Sequence, residues 1–205
     1  MTKSFWHLGV LSLLMFFSDP LTSMAGPPTD QIKVTVDNAV GLLRDSRHKT
    51  APTNERRAQL REILFTRFDF SEMARRALGA HWRRRSATEQ QEFVQLFTEL
   101  LERQYAGIIE SYTDEKIVYV SERTDGAFAE VNSKIVTAKG QELSINYKAQ
   151  LVGQEWKVYD VVAEEISLVN NFRSQFNRVI SSSSYEELVR RLREKQADGV
   201  VSVKN

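Results

Sequence analysis

The sequence predicts an α+β fold in which a four-stranded antiparallel meander packs against several helices. Between residues 115 and 163, apolar and polar side chains alternate with the period of two that is typical of half-buried strands. Turn signals at Asp125-Gly126, Lys139-Gly140 and Gly153-Gln154 are short, and short connections join antiparallel neighbours. Apolar residues recur at helical spacing before and after this region, so helices flank the strands instead of alternating with them.

Four helices are expected before the strands, each from an apolar stripe and a capping or breaking residue. They run from Asp30 to Lys49, from an Asn54 cap onward, from the Asp69–Glu72 capping box to Gly79, and from the Ser86–Glu89 capping box to about Tyr112. The strands are expected at Lys116–Arg123, Ala127–Ala138, Leu143–Leu151 and Glu155–Ala163. Two further helices are expected after the strands. The first begins at the N-cap Ser167, and the second begins at the capping box formed by Ser184 and Glu187.

Length and composition favour one ordinary globular domain. The chain has 205 residues, of which 41% are hydrophobic and 27% charged, with a net charge of +1. This charge creates no general affinity for nucleic acid. Cysteine is absent, so no disulfide framework is available and stability has to come from the core.

The first 25 residues have the pattern of a secretory signal peptide. Lys3 precedes an apolar run, Leu8 to Phe17, and the small residues of Ser23-Met24-Ala25 suit a signal peptidase. The run is too short to span a bilayer, which disfavours a retained anchor. We therefore expect an exported, unanchored domain over residues 26–196 and a flexible tail over residues 197–205.

No catalytic or metal-binding motif is visible, and one carboxylate invites two interpretations. Neither His48 nor His81 stands at metal-ligand spacing with another strong ligand. Asp160 lies among the apolar residues of the last strand. A carboxylate in such a place either accepts hydrogen bonds from loop or helix N–H groups or acts as a general base.

Five arginines precede the long helix and form the second candidate feature. They are Arg75, Arg76, Arg83, Arg84 and Arg85. A local excess of arginine is typical either of a plainly solvated face or of a surface that meets anionic groups on a partner. The sequence leaves both interpretations open.

Several segments carry a resemblance to a known family. They are Leu78-Gly79-Ala80-His81-Trp82, the segment from Ser86 to Phe93, the helix with Leu100-Leu101 and Tyr105, Trp156-Lys157-Val158-Tyr159-Asp160-Val161 and the segment from Ser167 to Phe176. The resemblance is to the MlaC family, also called the toluene-tolerance or Ttg-type auxiliary family of ABC transport systems. It covers essentially the whole chain after the signal peptide, in the same order. One departure is Glu165, which stands where we expect a glycine before Ile166-Ser167.

The resemblance implies a periplasmic, monomeric phospholipid-binding carrier with a cone-shaped fold similar to nuclear transport factor 2 with added helices. Such proteins are thought to carry phospholipid, as cargo and without a cofactor, between an outer-membrane lipoprotein–porin complex and an inner-membrane ABC transporter with an MCE subunit. This traffic maintains the lipid asymmetry of the outer membrane. The alternatives are a carrier of another lipid such as a hopanoid, an enzyme on the same scaffold using Asp160 or a tyrosine, and a ligand-free binding module.

A carrier needs a dry cavity, which we expect between the sheet and the long helix. The candidate lining residues share apolar faces of elements that must pack together. They are Trp82, Phe97, Leu101, Tyr105, Tyr147, Trp156, Tyr159, Val161, Val169, Phe172 and Phe176. The five arginines are the candidate partner-binding residues. No catalytic and no metal-binding residue is expected.

Overall fold

A computed structural model describes residues 27–45, 50–112 and 115–198. The helices are α1 (Pro28–Arg44), α2 (Thr53–Phe65), α3 (Phe70–Leu78), a 3-10 helix (Gly79–Arg84), α4 (Ala87–Glu110), α5 (Leu168–Ser182) and α6 (Tyr185–Asp198). The strands are β1 (Lys116–Asp125), β2 (Phe128–Val136), β3 (Glu142–Val152), β4 (Glu155–Ala163) and β5 (Ile166–Ser167). The expected signal peptide, and the expected tail beyond Asp198, lie outside the described residues.

The α+β class is confirmed, and the sheet has one more strand than expected. All neighbours pair antiparallel in the order β1-β2-β3-β4-β5. The additional strand, β5, has two residues, which fold back onto Val162 and Ala163. A strand this short gives no alternating pattern, so the sequence offers no signal for it.

The turn between β4 and β5 explains why a glycine was expected there. Glu164 and Glu165 both have positive φ angles, of 46° and 66°. Side chains other than glycine adopt this left-handed region only at a cost in free energy. The Glu164 carboxylate offsets part of it, because it accepts a hydrogen bond of 2.6 Å from the backbone N–H of Ser144. Glu165, where a glycine was expected, therefore has a strained backbone.

Side-chain caps fix the helix starts as the sequence indicates, with two exceptions. Ser86 and Glu89 form the full capping box, and Ser167 accepts from the Asn170 N–H at 3.0 Å. Asp69 caps α3 by accepting from the Glu72 N–H, but the reciprocal half of the capping box is absent. The Asp69 N–H donates to the Val158 carbonyl, and the Glu72 carboxylate pairs with Arg75 and Arg76 instead. The Asn54 cap is wrong, because Pro52 is the N-cap residue and α2 begins at Thr53, two residues earlier than an Asn54 cap would allow.

The buried side chains form three clusters instead of one continuous core. The helix cluster joins α3, α4, α5 and α6 around Phe93 and Phe97. The sheet cluster joins one face of β2, β3 and β4 to Ile32 of α1. A small third cluster joins α1 to α2 through Leu43 and Leu60. Most domains of this size have one contiguous core. The boundaries between these three clusters are therefore the places where the interior is least tightly packed.

The linker between α2 and α3 covers the outer edge of β4. Phe68 forms a parallel bridge with Val158. The Asp69 N–H donates to the Val158 carbonyl, and the Val158 N–H donates to the Arg67 carbonyl, both at 2.8 Å. These bonds satisfy an edge that would otherwise be open, and they hold Phe68 between the sheet and the helices.

Candidate functional site

The expected lining residues fall into two groups, which we call the helix wall and the sheet wall after the clusters to which they belong. Five of them are buried in the helix cluster, with Trp82 and Tyr105 half-buried at its margin. The five are Phe97, Leu101, Val169, Phe172 and Phe176. On the sheet side, Tyr147 and Trp156 are buried in the sheet cluster, and Val161 packs at its margin.

Tyr159 lies apart from both walls because it is the extra residue of a β-bulge. Lys148 pairs with Asp160 while Ala149 pairs with Val158, which leaves Tyr159 unpaired on β4. Its ring lies under the Arg76 guanidinium, 3.8 Å from the ring centroid, and edge-on to Phe128. The period of two does not reveal a bulge, so the sequence could not place this side chain correctly.

The helix wall is built from interlocking aromatic rings. Phe97 stacks along α4 on Phe93 and meets Phe172 and Phe176 edge-on, with ring centroids 5.4–6.2 Å apart. The Phe172 and Phe176 rings stack on each other one turn apart on α5. Edge-to-face contacts of this kind add to the area that the rings bury. The wall is therefore a rigid surface, and its inner rings are not free to move independently.

The two walls are poorly joined. Among the described residues, Phe68 alone packs against both the helix cluster and the sheet cluster. The long helix α4 makes its main contacts with α3 and α6, whereas α1 lies over the sheet. The place where α4 and the sheet approach each other is thus the least filled part of the interior.

A cavity of about 280 Å³, open to solvent, lies beside this junction. Its apolar lining comes from Phe65, Phe68, Phe70, Val94 and Val152, and its polar lining from Asp69, Ser71, Thr98 and Lys157. The cavity thus contacts α4, the α2–α3 linker and the β3–β4 hairpin. None of the eleven expected residues is among those that line it, so their contact with a ligand stays a prediction.

Three phenylalanines around the α2–α3 linker, Phe65, Phe68 and Phe70, line the cavity but were not predicted as lining residues. Phe65 and Phe70 have ring centroids 4.5 Å apart, and Phe68 stacks on Phe70 at 6.1 Å. A signal was present, because three aromatic residues within six positions are unusual where a helix ends. The period of the apolar pattern breaks at that end, so a search for helical stripes passes over them.

Asp160 is a structural carboxylate in this arrangement. It is 5% exposed, and its two oxygens accept from the Ser167 hydroxyl at 2.6 Å and from the Val169 N–H at 3.0 Å. Both donors belong to the first turn of α5, where a negative charge is favoured by the helix dipole. The interpretation as a hydrogen-bond acceptor is confirmed.

Three of the five arginines form ion pairs with glutamates, and two form none among the described residues. Arg75 and Arg76 both pair with Glu72. Burial raises the pKa of Glu72, but hydrogen bonds and charge from these two arginines outweigh burial and hold that pKa below its usual value. Arg85 pairs with Glu89 and Glu186 and lies over the Tyr185 ring.

Arg83 and Arg84 are the unbound members of the group. Both are exposed on the 3-10 helix, and neither has an ion pair among the described residues. The Glu72–Arg75 and Glu72–Arg76 pairs were visible in the sequence, since residues three and four apart share a helix face. Arg83 and Arg84 are thus the two of the five arginines without an ion pair in the described part of the chain, and partner binding by the five stays a prediction.

Two properties of the described residues bear on other functions. Over the ranges that the structure covers, no group of three or more histidine and acidic side chains is placed to hold a metal ion. In the same ranges, none of the helices combines the length and the apolar character that a membrane crossing requires.

Known proteins resemble the chain over most of its length. The intermembrane phospholipid transport system binding protein MlaC of Haemophilus influenzae is 24% identical over 131 residues, 62% of this chain and 61% of that protein. The toluene tolerance protein ttg2D of Pseudomonas putida is 28% identical over 172 residues, 82% of this chain and 79% of that protein. The chain thus spans less than two thirds of the Haemophilus protein and more than three quarters of the Pseudomonas protein.

A solved structure shares the fold. The phospholipid-binding protein of Ralstonia solanacearum, determined in complex with a phospholipid, superimposes with a TM-score of 0.78 and 23% identity, over 84% of this chain and 98% of that one. The profile of the MlaC protein family matches residues 33–194, which include every helix and strand described above except the start of α1 and the end of α6. The chain belongs to the MlaC family.

Proposed function

We propose that the protein is a periplasmic phospholipid carrier that shuttles lipid between complexes of the outer and inner membranes and so maintains outer-membrane lipid asymmetry. The observation that supports this most is the pair of apolar walls that do not join into one core. A protein that only needs to be stable gains by filling such a junction. A protein that must admit apolar cargo gains by leaving it weakly packed.

The energetics of the cargo require an enclosed site. Each CH₂ group moved out of water is worth about 0.8 kcal/mol. Two acyl tails with roughly thirty CH₂ groups therefore cost on the order of 20 kcal/mol in water, so diffusion without a carrier is negligible. The aromatic and aliphatic walls match this cargo, whereas a charged headgroup is best left in solvent.

The cavity present is too small for two acyl tails. A dry apolar cavity of about 150 Å³ holds one benzene molecule, and the 280 Å³ seen here is open and partly polar. Two tails need more room, which the walls provide if they part at Phe68. Our proposal for the walls of that wider space is the expected residues other than Tyr159, beginning with the half-buried Tyr105 and Val161.

The cargo prediction is tested by lipid extraction and mass spectrometry of the protein purified from its native periplasm. We expect about one phospholipid per protein in the wild type. The Val161→Trp variant should lose most of its lipid while staying folded, because the indole fills the space beside the sheet wall. Val118→Trp is the matched control, since Val118 is 48% exposed on β1, and should retain its lipid.

The possible outcomes separate the alternatives. Recovery of hopanoids instead of phospholipid identifies a different lipid cargo. Wild-type protein without any lipid contradicts the carrier and leaves the ligand-free binding module or the enzyme. Full lipid content in folded Val161→Trp contradicts the position of the cavity while leaving the carrier function intact. The two oxygens of Asp160 are already engaged, and so we propose no enzymatic activity.

We further propose that Arg83 and Arg84 meet acidic surfaces on the partners, an inner-membrane ABC transporter with an MCE subunit and an outer-membrane lipoprotein–porin complex. A monomeric carrier must find its partners by diffusion, and complementary charge accelerates such encounters. The paired arginines contribute less, because Arg75 and Arg76 are partly neutralised by the carboxylate of Glu72 that they share, and Arg85 pairs with two glutamates.

Reversal of Arg83 and Arg84 to glutamate should slow association with the purified MCE subunit by about tenfold at low salt and weaken its salt dependence. Surface plasmon resonance measures both quantities. The control reverses Arg123 and Lys139, which are exposed at the ends of the β-hairpins and change the net charge equally. Equal association rates for the two double variants would show that Arg83 and Arg84 only form a solvated face.

A further inference from the structure

The Tyr119 hydroxyl is a buried polar group that lacks a hydrogen-bond partner. Tyr119 lies on β1, paired with Ser133 of β2, and its ring packs against the sheet cluster. Its phenolic oxygen is inaccessible to solvent and has no partner among the described residues. Buried hydroxyl groups nearly always have one, because an unpaired donor loses its water without compensation.

Its cross-strand neighbour Ser133 shows the usual state of a buried hydroxyl in this sheet. Ser133 is 1% exposed, and its hydroxyl donates to the Ile145 carbonyl at 2.6 Å. The Ser133 donor is thus satisfied inside the protein, whereas the Tyr119 donor beside it is not.

The surroundings of Tyr119 limit the chemistry of the missing acceptor. Burial is the main cause that raises its pKa, followed by Tyr147, Asp37 and Tyr112, so the hydroxyl stays protonated and available to donate. None of these groups is a cation, and the cations beside them are already engaged, Lys33 with Asp37 and Arg44 with the Tyr112 ring. An anionic acceptor such as a phosphate would therefore be buried without a free counter-charge. A neutral acceptor fits this place.

We infer that the Tyr119 hydroxyl donates a hydrogen bond to an ester carbonyl of the bound lipid, so that the protein selects ester-linked glycerolipids. The inference rests on the proposed carrier function. In a phospholipid, the ester carbonyls are the neutral acceptors closest to the tails, and they enter the protein when the tails do. The hydrogen bond is then completed only in the loaded protein, which explains why the donor is left unpaired.

Thermal unfolding of lipid-free protein tests the first half of the inference. Tyr119→Phe removes a donor that has no partner, so its Tm should equal or exceed that of the wild type. Ser133→Ala is the control and should lower the Tm by about 2–4 °C, because it removes the hydroxyl that donates to the Ile145 carbonyl. A comparable fall in the Tm of Tyr119→Phe would mean that its hydroxyl has an internal partner, and it would overturn the inference.

Lipid affinity tests the second half, with dipalmitoyl phosphatidylcholine and its dihexadecyl ether analogue as probes. The ether lacks both carbonyl groups but keeps the headgroup and the tails. Wild-type protein should bind the ester about three- to tenfold more tightly. Tyr119→Phe should lose this preference by weaker binding of the ester alone, and the control Ser133→Ala should keep it.

The outcomes distinguish this inference from the proposed function. If the wild type binds neither lipid, the carrier function fails and the inference fails with it. If the wild type binds both lipids and Tyr119→Phe binds the ester as tightly as the wild type does, the carrier function stands and the inference alone is overturned.

Discussion

Replacement of Phe97 by alanine is expected to lower the free energy of unfolding by about 3–5 kcal/mol. Phe97 is fully buried, and three other rings of the helix wall pack around it. Alanine removes the ring's burial and leaves a cavity that these rings cannot collapse into, because each is held by its own neighbours. Urea unfolding followed by far-UV circular dichroism measures the loss.

Phe128→Ala is the matched control for this prediction. Phe128 is 49% exposed at the start of β2 and has one aromatic neighbour, Tyr159. The same chemical change should cost less than about 1 kcal/mol there. A similar loss in both variants would mean that the effect comes from removing a ring and not from the packed wall. A loss below about 1 kcal/mol for Phe97→Ala would show that the ring is not tightly enclosed.

The same variant tests whether Phe97, which is a candidate lining residue, also contacts lipid. The structure shows Phe97 as a core residue, since its ring is enclosed by other rings. If it also lines the wider cavity, Phe97→Ala should lower the lipid content of the protein that remains folded. If it does not, stability falls while the lipid content per folded protein is unchanged.

Local patterns predicted the elements because each element has its own short-range signal. The Ser86 capping box, the Ser167 cap and the period-two strands depend on residues within a few positions of one another. The class follows from their order along the chain. The glycine expected at Glu165 came from the family resemblance and not from a local pattern, and the structure gives both Glu164 and Glu165 a left-handed backbone.

The features that the sequence did not reveal depend on distant contacts. β5 exists only because the chain reverses onto Val162 and Ala163, and the Tyr159 bulge exists only in register with β3. Phe68 is one of the residues that line the cavity, and its position is fixed by a bridge to Val158, some ninety residues away. The unpaired donor of Tyr119 likewise becomes visible only when its surroundings are known.

Removal of the Asp160 carboxylate is expected to be the most damaging single polar change. Asp160→Ala should lower the free energy of unfolding by about 2–4 kcal/mol, because the Ser167 hydroxyl and the Val169 N–H both lose a buried, charged acceptor. The loss extends to the start of α5, since the Ser167 hydroxyl also caps that helix by accepting from Asn170. Urea unfolding again provides the measurement.

Asp160→Asn distinguishes this structural role from a catalytic one. The amide oxygen can still accept from Val169, while the charge and one acceptor are lost, so the expected cost is about 1–2 kcal/mol, between wild type and Asp160→Ala. Asp125→Ala, at the exposed end of β1, is the control and should change stability by less than about 0.5 kcal/mol. Folded Asp160→Asn should retain its lipid, because the carboxylate holds α5 in place and does not contact the cargo. Unchanged stability together with altered or chemically modified lipid would contradict the structural role and favour the enzyme.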